Sequence, residues 1–123
     1  MPSTPSDAAL RALRVIAHNI QLARRFVADS ELASFMHDER TIYAVTRCLE
    51  IISEASRRLP EELRQRHGHL PWVQIAGAGN VYRHDYEDVL PQILWNTVHE
   101  GLDELERVVL AELASGPGGA GSS

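Results

Sequence analysis

The chain has one cysteine, no lysine, no long apolar run and no strand-like alternation, and each absence removes a class of protein. A lone thiol, Cys48, cannot close an internal disulfide, so a cytoplasmic location is expected. Cys48 also falls inside an apolar helical pattern, which reads as a core position rather than a nucleophile. No apolar stretch approaches the roughly 20 residues of a membrane span. Residues 1–7 lack the basic and apolar regions of a signal peptide. There is no phosphate-cradling glycine loop either, because Gly77 and Gly79 stand in a helical pattern without a following Gly-Lys-Ser/Thr.

What is present describes a folded helical chain. With 123 residues and 44% hydrophobic content, one domain with a real core is expected. That domain is placed at 1–113, with 114–123 as a flexible Gly/Ser-rich tail. Twelve basic residues, all arginine, face 17 acidic ones, for a net charge of -5. An acidic balance counts against a broad non-specific nucleic-acid coat but leaves room for a local basic site. Arginine suits such a site, because its planar fork grips phosphate with two parallel hydrogen bonds. Residues 57–69 hold four Arg and two Glu, and read either as a basic patch or as a solvated helix end and loop.

Apolar residues recur at three- and four-residue steps nearly throughout. Ser6 or Asp7 is a plausible cap for a first helix reaching about residue 28, with Leu10, Leu13, Ala17, Ile20, Ala23 and Val27 on one face. A short segment at 31–37 turns the chain. A third helix over 38–59 carries Ile42, Val45, Leu49, Ile52 and Ala55, and Pro60 stops it. Residues 60–71 read as a turn with one helical loop. A fourth helix starts near Pro71 and runs toward His84. The last, over 90–113, lines up Leu94, Val98, Leu102, Leu105 and Val109. The fold class is therefore all-α, an antiparallel bundle of four to five helices.

Several polar groups invite a functional reading and a plain one. His67 and His69 could begin a metal site, but no cysteine or carboxylate follows at ligand spacing, and no metal site is assigned. Glu50 and Glu54, one turn apart, could bind a metal, act as an acid–base pair or simply partner Arg47 and Arg57 or Arg58. His18, His37 and His99 have no polar company at motif spacing and read as surface or core-edge residues. Two glycines inside a helix each cost about 1 kcal/mol against alanine. Their presence at 77 and 79 points to a close approach by another backbone, a second subunit or a ligand.

The segment that follows them is the densest in reactive side chains: Asn80, Tyr82, Arg83, His84 and Tyr86 fall within seven residues. Gly-Asn-Val-Tyr-Arg-His-Asp-Tyr, preceded on an earlier helix by Leu-Glu-Ile-Ile-Ser-Glu-Ala, resembles the HepT-like ribonuclease toxins of the HEPN superfamily. The resemblance runs over roughly residues 10–110. The family pattern is Arg, a polar residue that is often Asn, a few residues, then His-x-Tyr. Asn80, His84 and Tyr86 match it. Two positions depart: Ser53 stands where the family has the Gly of Gly-Glu-Ala, and Gly79 stands where it has the arginine. Arg83, just before the histidine, is expected to substitute. Consecutive helical residues point about 100° apart, so its reach is a question for the structure.

The resemblance implies a helical homodimer whose two motifs form an RNA-cleaving cleft without metal or cofactor. It implies His84 as general acid or base, Arg83 as electrostatic stabiliser and Asn80 as the group that orients the phosphate or the histidine. It also implies a nucleotidyltransferase antitoxin as partner, which silences the toxin by transferring AMP to Tyr86. The plain reading of Tyr86 is a half-buried aromatic at a helix end. Two other functions stay open: a HEPN-domain binding partner of a nucleotidyltransferase with weak or no catalysis, and a purely structural helical dimer.

Overall fold

The computed structural model describes residues 6–84 and 90–115, with only the helical backbone for 80–84. The chain folds as the expected all-α bundle. Its helices are α1 (Asp7–Val27), α2 (Leu32–Phe35), α3 (Glu39–Ser56), α4 (Glu61–Arg66), α5 (Trp72–His84), α6 (Leu90–Asn96) and α7 (Asp103–Ala114). A π turn, Thr97–Gly101, joins the last two.

The starts follow from local chemistry. Ser6 caps α1 by accepting from the Ala9 amide at 3.1 Å. Asp38 caps α3 by accepting from the Thr41 amide at 3.1 Å and its hydroxyl at 2.7 Å. Each occupies an amide that the first helical turn leaves without a partner, a contribution of about 1 kcal/mol. Asp7 at the start of α1 and Arg24 and Arg25 at its end also complement the helix dipole.

Helix α1 packs on α3 and α7, and α3 packs in turn on α5. Gln21 and Arg24 both reach Glu106, and Arg24 also pairs with Asp103 at 2.8 Å, which makes α1 and α7 antiparallel. Leu13, Ile16, Ile20, Phe35, Val45, Leu94, Val98 and Val109 are fully buried at the centre. Each such side chain contributes roughly 1.5–3 kcal/mol on leaving water. Cys48 belongs to this core, where burial pushes its thiol pKa up and away from nucleophilic use.

One expectation needs correction. The helix foreseen over 90–113 is not continuous. The Leu102 amide bonds to the Thr97 carbonyl at 3.0 Å, five residues back. The reason lies in the spacing of the apolar residues. From Leu94 to Val98 to Leu102 the steps are four and four, and each drifts about 40° beyond a full turn. The wider π turn absorbs that drift, so Leu94, Val98, Leu102, Leu105 and Val109 all remain buried.

Candidate functional site

Helix α5 carries the polar cluster, and its position is fixed from both sides. Pro71 opens it, with its carbonyl accepting from the Ile75 amide at 3.0 Å. Trp72 is buried and donates from its indole N–H to the His67 carbonyl at 2.9 Å. One turn later α5 meets α3 through small residues. The Ser53 hydroxyl donates to the Ala76 carbonyl at 2.8 Å and accepts from the Gly79 amide at 3.2 Å. The Arg57 Nε and Nη2 atoms donate to the same Ala76 carbonyl at 3.1 and 2.6 Å. Since 53 meets 79 while 57 meets 76, the two helices are antiparallel.

This contact explains one glycine and not the other. A Cβ built on Gly79 would lie 3.3 Å from the Ser53 Oγ, tighter than side chains ordinarily pack, whereas a Cβ on Gly77 meets nothing within 4 Å. Gly79 is thus the close approach foreseen from sequence, and the neighbour is α3. The two departures from the family pattern, Ser53 and Gly79, are one contact.

Register then sorts the cluster. On a helix of 3.6 residues per turn, positions 73, 77, 80 and 84 form one stripe, and 72, 76, 79 and 83 another. The second stripe is the one α3 covers, because Ala76 and Gly79 touch Ser53. The first faces outward at its start, where Val73 is 83% exposed. By register, positions 80 and 84 fall on the stripe of Val73, one turn apart. Arg83 sits one turn beyond Gly79 on the other stripe, about 40° from the direction of the position that lacks the arginine. The side chains of Asn80, Arg83 and His84, and all of Tyr86, lie outside the described residues.

A cavity among the described residues lies elsewhere. A cleft of about 370 Å³ runs between α3, the opposite flank of α5 and the π turn. Leu49, Ile52, Ile75, Ala78, Leu102 and Leu105 line it. His69 and Glu104, paired at 3.4 Å, also border it, and positions 80 and 84 fall by register on the far side of α5.

The other candidates resolve as structure. His67 Nε2 meets the Glu112 carboxylate at 2.6 Å, and Arg66 Nη2 meets its other oxygen at 2.9 Å. Burial pushes the Glu112 pKa up, but the hydrogen bonds from His67 and Arg66 outweigh it and hold the carboxyl below its ordinary value. The same bond raises the Arg66 pKa. His67 thus ties α4 to α7. Among the described residues no three His, Cys, Asp or Glu side chains gather as a metal site would need. Arg58 pairs with Glu54 at 3.0 Å and Arg47 approaches Glu50 at 3.9 Å, as their helical spacing suggested. His18, His37 and His99 are exposed, with the His99 ring stacked on Trp95 at 4.0 Å. Sequence reasoning missed Ser53 and Arg57 as the groups that seat α5. Their i, i+4 spacing puts both on one side of the α3 end, but nothing local set Arg57 apart from Arg58.

Comparison with known proteins decides the family. The family model described as ribonuclease HepT-like matches residues 16–111. The chain belongs to the ribonuclease HepT-like family. It is 35% identical over 94 residues to a protein of Thermococcus cleftensis named "Probable ribonuclease HepT", covering 76% of this chain and 86% of that one. It is 40% identical over 75 residues to a protein of Caldanaerobacter subterraneus whose name proposes an RNase, covering 61% and 67%. A Methanocaldococcus jannaschii protein, likewise proposed by name as an RNase, is 32% identical over 84 residues, covering 68% and 77%. No solved structure matches the chain. The HepT-like match spans α3 and α5 together, so the Ser53–Gly79 contact lies within the matched region.

Proposed function

We propose that this HepT-like chain is a metal-independent endoribonuclease, the toxin of a cytoplasmic toxin–antitoxin pair, acting as a homodimer with RNA held between two copies of α5. What supports this reading is helix register, which puts positions 80 and 84 in line with the exposed Val73 and away from the face of α5 that meets Ser53. A neutral His84 takes the proton of an RNA 2′-OH, whose oxygen attacks the adjacent phosphorus. The bond to the 5′-oxygen breaks, and that oxygen leaves with a proton from a protonated His84 of the second copy. The products are a 2′,3′-cyclic phosphate and a 5′-hydroxyl. Arg83 stabilises charge on the phosphorane oxygens and Asn80 orients the phosphate.

Tyr86 is the regulatory residue in this reading. A nucleotidyltransferase antitoxin transfers AMP from ATP to its phenol oxygen, releasing pyrophosphate. The added charge and bulk repel RNA. A second reading, a HEPN-domain partner that docks the transferase with little catalysis, is favoured by one observation: the arginine position is Gly79, packed against Ser53.

The test is RNA cleavage in the presence of chelator. His84→Ala is expected to lower the rate by at least ~10²-fold, the usual lower worth of a positioned acid–base group. Unchanged cleavage in that variant would sink the reading. In parallel, incubation with ATP and the neighbouring transferase should add the mass of one AMP at Tyr86 and silence cleavage. No adduct there removes the regulatory role.

A further inference from the structure

We infer that Arg57 holds an RNA phosphate within two backbone steps of the one that is cut, an inference that rests on the ribonuclease reading above. Arg57 is exposed, just past the end of α3, yet it is not loose. Two of its N–H groups fix the guanidinium against the Ala76 carbonyl at 3.1 and 2.6 Å. That carbonyl already accepts from the Ser53 hydroxyl at 2.8 Å. It would therefore be satisfied without Arg57, and the arginine is not explained by a need to cover a bare acceptor.

The rest of the fork is available. Arg24, Arg58, Arg66 and Arg107 each end on a carboxylate. Among the described residues, Arg57 meets no carboxylate. What remains is a cation with N–H groups facing solvent and a side chain already held in one place. A pre-organised guanidinium loses less freedom on gripping an anion, and its planar fork matches phosphate geometry.

Its position gives the ligand. Ala76 lies one turn before Asn80 and two before His84, about 6 and 12 Å along the axis at 1.5 Å per residue. A strand whose cut phosphate sits at the level of His84 passes Arg57 with a nearby phosphate. Arg57 also places a cation at the Ala76 carbonyl, three residues before position 79, which has no charge of its own. Arg57 is thus a substrate-binding residue, with the acid–base chemistry left to His84.

The experiment measures the binding of a fluorescent single-stranded RNA to the full chain in chelator across a series of salt concentrations. His84→Ala is the parent, so that the probe survives. Each phosphate contact on single-stranded nucleic acid adds about 0.7 to the slope of log affinity against log salt. Arg57→Gln in this parent is expected to bind several-fold more weakly and to lower that slope by about 0.7. Arg57→Lys keeps the charge and should keep the slope. Glutamine can still donate to the Ala76 carbonyl, and a role confined to seating α5 would move the melting temperature and not the slope. A parent that binds RNA with the same slope in Arg57→Gln overturns this inference alone. A parent that binds no RNA, from a wild type that cuts none, overturns the ribonuclease reading with it.

Discussion

At the seam of α1 and α7, Arg24 reaches across to Asp103 and Glu106 beside the buried Ile20, Ala23, Leu105 and Val109. At the seam of α3 and α5 the residues that meet are Ser53, Ala76 and Gly79, with Arg57 closing over them. The first seam is held by large apolar side chains, and its ion pairs are peripheral. The second adds to the packing of Ile75 and Ala78 a set of hydrogen bonds to backbone and the absence of a side chain at Gly79. Beyond Trp72, no large side chain of α5 is fully buried among the described residues. The comparison teaches that the middle of α5 is fixed by its neighbour's polar groups as well as by packing, while Val73 near its start is left exposed. A helix placed in this way can present residues to a second molecule without giving up its own seat.

The contrast predicts a ranking of effects. Ile20→Ala, at the apolar seam, should destabilise the fold by about 3 kcal/mol through lost burial and a residual cavity. A urea titration measures it, and a loss under 1 kcal/mol would show that the α1–α7 seam is not the main support. Glu112→Gln comes next, at about 2 kcal/mol, because it weakens charge-assisted hydrogen bonds to Arg66 and His67. The sign with pH follows from the lowered pKa. A carboxyl whose folded pKa is depressed contributes stability that is present above its unfolded pKa and is lost as pH falls through the folded one. Melting temperatures of wild type and Glu112→Gln should therefore converge in the acid range and separate toward neutrality. Parallel curves would remove the ion cluster from the account.

The smallest effect is the sharpest. Gly77→Ala meets open space and should gain up to about 1 kcal/mol of helix propensity. Gly79→Ala gains the same propensity but presses on the Ser53 Oγ, so its net change should lie near zero or below. In a Ser53→Ala background that difference should shrink, a coupling that a double-mutant cycle reads directly. Equal effects of the two glycine changes in the natural sequence would break the claim that α3 approaches α5 at Gly79.

The bundle was legible in the sequence because its signals are local. Three- and four-residue apolar steps marked α1, α3 and α5, and Ser6, Pro60 and Pro71 marked their ends. The pairing of Glu54 with Arg58 was readable from spacing on one helix. What escaped lies between distant segments. Arg57 could not be separated from Arg58, because its partner is a carbonyl 19 residues away. Glu112 gave no sign of binding Arg66 and His67, 46 and 45 residues back. The π turn was hidden because two successive four-residue steps look like an ordinary helix. Of the candidate site, the residue types and their order were legible, while the stripe each occupies followed only once Ser53 showed which side of α5 is covered.

The central claim is that the outer stripe of α5 cuts RNA through the 2′-hydroxyl with His84 as its acid–base group. The most direct test is mass spectrometry of the ends left on an RNA oligonucleotide after incubation with the wild-type chain in chelator. The account predicts 2′,3′-cyclic phosphate and 5′-hydroxyl ends, absent when His84→Ala replaces the wild type. Ends bearing a 5′-phosphate, or the same products from the His84→Ala chain, would contradict it.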